Sequence, residues 1–113
     1  MIYKLLASTE WAQAAESGQF DGSAVDHQDG YIHFSTADQV VETARRYFTD
    51  VSDLTLLAVD PDPLGDALRW EPSRGGDLFP HLYAPLPVSA VTAVIPLPDN
   101  LPTPEAVAAA LGQ

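Results

Sequence analysis

The chain contains no cysteine, and that absence removes disulfide stapling, thiolate nucleophiles and cysteine-ligated metals together. Positive charge is scarce as well. Lys4, Arg45, Arg46, Arg69 and Arg74 are the only bases against 16 acids, which leaves a formal net charge of −11. Such a surface repels phosphate backbones, so nucleic acid is not an expected partner. Solubility of a small domain accounts for most of this acidity, yet it makes each remaining cation a candidate for neutralising an anionic ligand. No apolar run reaches the ~20 residues that span a bilayer. No charged segment precedes an apolar one at the N-terminus in the manner of a secretory leader. The expectation is a cytoplasmic protein without a membrane partner.

What is present suits a globular fold: 46% apolar and 19% charged residues in 113 positions. That length predicts one domain over residues 1–113. Ile2 to Ala7 reads as a buried strand with Tyr3 and Lys4 embedded in it. Ser8 or Thr9 is placed to cap a helix ending at Gly18, with Trp11, Ala14 and Ala15 turned inward. The acidic segment from Gln19 to Gly30 reads as a loop.

Tyr31 to Phe34 predicts a short strand. Thr36 and Gln39 then have capping-box spacing ahead of a helix whose Val40, Val41, Ala44, Tyr47 and Phe48 recur every three or four residues. Leu54 to Val59 is a central strand, closed by Asp60-Pro61-Asp62-Pro63. Further strands are expected over Ala67 to Glu71, from Pro80 to Ala84, and over Val91 to Leu97, the last near an edge because of Pro96. Thr103-Pro104-Glu105 starts a short alanine-rich helix reaching about Leu111. The fold class expected is α+β, with two main helices on a mixed or antiparallel sheet.

Chemistry concentrates on a few positions. Alternation sets His33 opposite Ile32 and Phe34 and puts Ser35 on the same side as His33, just before a helix N-terminus that favours anions. A cap at Ser35 or Thr36 and a hydrogen-bonded internal histidine form the plainer reading. Arg69 and Glu71 share one side of Leu68-Arg69-Trp70-Glu71. They could pair across solvent, or Glu71 could act as a general base in a cleft. Arg74 beyond it is a candidate anion clamp, with a loop tip as the plainer reading. His81 and Tyr83 share a face that Leu82 does not, whereas His27 stands alone in an acidic segment. A metal on His33 and His81 would need Glu71 as third ligand, from three separate segments, and no metal is expected. A triad of Ser35, His81 and Glu71 lacks the glycine-flanked elbow of such serines.

The run Asp29-Gly30-Tyr31-Ile32-His33-Phe34-Ser35-Thr36 with Gln39, Ala44 and Tyr47-Phe48 resembles the signature of the bacterial family called domain of unknown function 952. Trp70-Glu71 and Phe79-Pro80-His81-Leu82-Tyr83 are similar to its later blocks, so the likeness covers residues 1–97 and leaves the helix at 103–111 outside. The resemblance implies an ADP-ribosyltransferase-like fold without an established activity. It would make Lys4 a cationic substitute on the first strand and liken His33-Phe34-Ser35-Thr36 to a strand end that holds nucleotide. It would also set His81 where such transferases carry a glutamate, with Glu71 as the carboxylate nearest to hand.

Three functions therefore stand as expectations. The first is a small-molecule binding protein or enzyme for a nucleotide-like or other anionic ligand, with Glu71, His81 and His33 catalytic and Lys4, Ser35, Arg74 and Tyr83 binding. The second is an ADP-ribosyltransferase using NAD, and the third a non-enzymatic interaction module. The prolines and the terminal helix would permit dimerisation without arguing for it.

Overall fold

A computed structural model describes residues 1–73 and 75–112. Arg74, the expected anion clamp, lies outside the described residues. The first sheet is antiparallel with the order β1 (Ile2–Ala7), β4 (Leu54–Val59), β8 (Val91–Pro96). A second has the order β3 (Ile32–His33), β6 (Asp77–Leu82), β5 (Leu68–Ser73), and β2 (Gln19–Phe20) pairs with β7 (Leu86–Pro87). Every one of these strand pairs is antiparallel, so the mixed alternative falls away. A bridge between Tyr3 and Ser35, with N–H···O distances of 2.7 and 2.9 Å, joins the first two sheets.

All six residues of β4 are buried, because it runs centrally and both its faces are covered. One face carries Leu56, which with Leu5 meets Val40 and Ala44 of α3 (Ala37–Tyr47) and Val107 of α4 (Thr103–Ala110). The other carries Leu57 and Val59, which with Ile2 and Leu6 join Phe20, Ile32, Phe34, Leu82 and Leu86. β8 is an edge strand, as Pro96 suggests, and Gly18 ends α1 (Ser8–Ser17) in the left-handed region at φ 97°.

Several expectations need correction. The segment from Gln19 to Gly30 is not a loop: it holds β2 and the short helix α2 (Ala24–Asp29). Ser8 does not cap α1. The Glu10 carboxylate accepts the Ala7 N–H at 3.1 Å, while the Ser8 hydroxyl bonds Thr55 at 2.8 Å. Ala15 is exposed, and β6 starts at Asp77 rather than Pro80. The short helix expected from Thr103 is present as α4, and it belongs to the core. It packs on α3 with Thr103, Pro104, Ala106 and Val107 buried, and the Thr103 hydroxyl donates to the Phe48 carbonyl at 2.8 Å. Capping favours α3 as expected, since the Gln39 side chain accepts the Thr36 N–H at 3.0 Å.

Candidate functional site

The β3–β6–β5 sheet has two unlike faces because side chains alternate along each strand. Ile32, Leu82 and Leu68 pack toward the core. Their neighbours His33, His81 and Arg69 occupy the other face, where His33 pairs with His81 and His81 with Arg69 across the ladder. Gly75 and Gly76 are left-handed (φ 82° and 100°) just before β6, and the antiparallel register of β6 on β5 lets Glu71 reach His81. Gly30, also left-handed at φ 87°, ends α2 and delivers Tyr31 to the same face.

The rings form one cluster. Tyr31 stacks on His81 with centroids 4.1 Å apart and planes at 27°. It also lies 4.6 Å from the His33 ring and 5.3 Å from Tyr83. The two imidazoles meet edge to face at 5.7 Å. Outside them, the Arg69 guanidinium sits 4.8 Å from the centre of the Tyr83 ring.

Each imidazole meets a carboxylate at Nδ1. For His81 the partner is Glu71, whose Oε1 lies 2.8 Å from Nδ1 and also accepts the Tyr83 hydroxyl at 2.6 Å. These bonds from Tyr83 and His81 hold the Glu71 carboxyl below its ordinary value, against a smaller desolvation. The Glu71 bond in turn pushes the Tyr83 hydroxyl up. An anionic oxygen can only accept, so Nδ1 of His81 carries the hydrogen. In the neutral ring Nε2 is then an acceptor. His81 is only 3% exposed, and Nε2 has no partner among the described residues.

For His33 the partner is Asp26, which the sequence reading missed. Its Oδ1 lies 2.6 Å from His33 Nδ1 and accepts the His33 backbone N–H at 3.1 Å. Its Oδ2 accepts the Ser23 N–H at 2.9 Å and the Ser23 hydroxyl at 3.0 Å. The Lys4 ammonium reaches both oxygens, at 3.1 and 2.9 Å. Burial alone would raise the Asp26 carboxyl. The His33 hydrogen bond, the Lys4 charge and the Ser23 N–H together outweigh it and hold the pKa far below the ordinary carboxylate range. The other His33 nitrogen, Nε2, meets Asp29 Oδ2 at 2.9 Å. Both nitrogens of His33 thus face carboxylate oxygens.

Of the site residues expected from sequence, His33, His81, Glu71 and Tyr83 come together on this face. Lys4 does not stand free for a ligand. It is 5% exposed, faces the same side of β1 as Ile2 and Leu6, and is held by Asp26 with its ammonium 5.9 Å from the Phe20 ring centre. Burial pushes the Lys4 ammonium down, with Asp26 opposing. Ser35 is corrected as well: it is buried, and its hydroxyl lies 2.8 Å from that of Thr43 in α3. Parity fails there because β3 stops at His33 and Ser35 turns to pair with Tyr3. His27 is exposed, with Nε2 3.0 Å from the Asp21 carbonyl. Asp26, Tyr31 and Asp29 complete the cluster. Ser23 three residues before Asp26, between Gly22 and Gly30, was the available sign of a short capped helix there.

A shallow hollow of about 380 Å3 adjoins the ring cluster, with Tyr31 and Tyr83 on its wall over Ile32, Leu82 and Pro85. A more enclosed one of about 180 Å3 lies between residues 49–54 and 97–106, lined by no histidine. Its Asp99 side chain accepts the Asp53 N–H at 3.0 Å, a structural task. The first hollow touches the ring cluster through Tyr31 and Tyr83 and is also lined by His27, while His33 and His81 lie behind the tyrosines and are not on its wall. No group of three or more metal-ligating side chains occurs among the described residues. Nor is any helix of those residues long and apolar enough to cross a membrane.

The chain as a whole is similar to solved structures. The X-ray crystal structure of protein CC0527 from Caulobacter crescentus is similar with a TM-score of 0.84 and 51% identity, covering 89% of this chain and 91% of that one. The solution NMR structure of CC0527 gives a TM-score of 0.76 and 53% identity, covering 85% and 83%. No curated protein matches the chain. The family model described as "Protein of unknown function (DUF952)" matches residues 5–94, and the chain belongs to that family.

Proposed function

We propose that the polar face of the β3–β6–β5 sheet binds a small molecule, with the Glu71–His81 pair as its working group. The observation that carries this reading is the unpartnered Nε2 of an imidazole that is 3% exposed. Buried polar atoms are paired as a rule, and one left open beside a hollow has the character of a ligand contact. Glu71 fixes the tautomer and orientation, while Nε2 takes a hydrogen bond or a proton from a ligand O–H or N–H. Tyr31 and Tyr83 offer ring surface beside it. The anionic, nucleotide-like ligand expected from the sequence would have to draw its charge partner from Arg69, which stacks on Tyr83 and does not line the hollow.

ADP-ribosyl transfer from NAD, in an ADP-ribosyltransferase-like fold, is the second reading. Its support is Glu71: the carboxylate is kept anionic by two hydrogen bonds at one oxygen, and Oε2 has no partner among the described residues. Such an oxygen could stabilise positive charge developing on a ribose.

A thermal-shift panel of nucleotides, NAD, sugar phosphates and small amines tests both. A ligand at 100 times its Kd adds about 2.7 kcal/mol of apparent stability. The expected hit is weakened in His81→Asn and Glu71→Gln while both variants stay folded. A hit equally strong in both variants removes the pair from the site. Nicotinamide release from NAD that is lost in Glu71→Gln would favour the second reading, and no release at all would reject it.

A further inference from the structure

The hollow beside the pair differs in charge from what an anion needs. None of the described residues that line it is lysine or arginine. Two lining carboxylates are present. Asp26 is already matched by Lys4, whereas among the described residues the carboxylate of exposed Asp21 meets the Gln19 amide alone, at 2.7 Å; His27 also lines the hollow, with Nε2 on the Asp21 carbonyl. The wall is aromatic: Tyr31 and Tyr83 stand 5.3 Å apart with their planes tilted by 41°. The Tyr83 ring already accepts a cation from within the chain, the Arg69 guanidinium at 4.8 Å. Tyr31 also stands in a negative field. Burial, then the charges of Asp29, Glu71 and Asp26, push its hydroxyl up. Aromatic faces with carboxylates at their rim attract an organic cation, and a net charge of −11 strengthens that bias over the whole molecule.

We infer that the hollow holds the cationic head of a small amine or quaternary ammonium compound, against Tyr31, Tyr83 and Asp21. The inference rests on the small-molecule reading and names its ligand class. An amino alcohol fits best, its cationic head in the hollow and its hydroxyl reaching past Tyr31 toward His81, which stacks on that ring and is not itself on the hollow's wall. A volume of about 380 Å3 accommodates a head of that size with room for its chain.

The test titrates the full chain, by NMR chemical shifts, with four probes. Choline carries both cation and hydroxyl, tetramethylammonium the cation alone, dimethylbutanol is choline's uncharged isostere, and dimethylbutyrate is an anion of similar shape. Choline is expected to bind about tenfold tighter than dimethylbutanol, with shifts centred on residues 21–32 and 82–85. Asp21→Asn, an exposed change that leaves the core intact, should weaken choline and tetramethylammonium alike. Equal binding of choline and dimethylbutanol, or preference for dimethylbutyrate, would overturn the cationic assignment. The histidine reading fails separately. If His81→Asn leaves choline's advantage over tetramethylammonium unchanged, Nε2 is not the hydroxyl acceptor, even where selectivity for cations persists.

Discussion

Two histidine–carboxylate pairs stand side by side on one sheet face, and they are built for different ends. Asp26–His33 is closed: the carboxylate is buried, serves Lys4, Ser23 and His33 together, and leaves neither ring nitrogen of His33 open. Glu71–His81 has the exposures reversed. The carboxylate is partly accessible, the imidazole is buried under Tyr31, and Nε2 is unspent. A closed pair fixes structure, because it ties α2 to β1 and β3 through one oxygen pair. An open one retains a bond to give, and the role proposed for His81 rests on that difference.

The comparison breaks first at Asp26. Asp26→Ala leaves the Lys4 ammonium buried without a partner, and such losses cost about 3–5 kcal/mol. Urea unfolding should record it as a large fall in midpoint with little change in slope. Glu71→Gln should move that midpoint far less, because its carboxylate faces solvent. Equal losses would erase the distinction between the pairs.

Acid provides the next test. The Asp26 pKa is lower folded than unfolded, where the ordinary value is 3.8, so the unfolded chain binds the extra proton. Its stabilisation is complete above about pH 4 and drains away as pH falls toward the folded value. Asp26→Asn should be the less stable protein near neutrality and should lose less on acidification below pH 4. Parallel stability curves for the two proteins would contradict the buried pair.

A smaller effect separates the two rings. Nitrogen-15 spectra of neutral His81 should report the Nδ1–H tautomer, reverting toward the usual mixture in Glu71→Gln. An Nε2–H form in the native protein would place the open atom on the wrong side of the ring. Smallest of all, Ser35→Ala should cost only about 0.5–1.5 kcal/mol for one lost hydrogen bond and leave ligand binding alone. A binding defect there would return Ser35 to the site.

How far this site was legible follows from the range of each signal. Period-two alternation placed His33, His81, Tyr83 and Glu71 on faces that do meet, since within a regular strand parity is a local rule. It failed at Ser35 because the strand ends two residues earlier, and no local pattern records where a ladder stops. Asp26 was hidden by scale: a six-residue helix has too few positions for an amphipathic stripe, and its acidic, glycine-flanked surroundings resemble a loop. Lys4 was misjudged because a lone cation in an apolar strand says nothing about which segment will neutralise it. That partner lies 22 positions away.

By itself, the sequence determined the α+β class, the places of β1, β4, α1 and α3, and the exclusion of thiol chemistry, because composition and periodicity act over a few residues. Tertiary structure alone decided which carboxylate met which imidazole. Those choices depend on the bridge between Tyr3 and Ser35, the β5–β6 register and the docking of α2, contacts between segments far apart in the chain. Only there is water removed from Asp26 and His81, and the loss of water is what makes one histidine a brace and leaves the other with an open nitrogen.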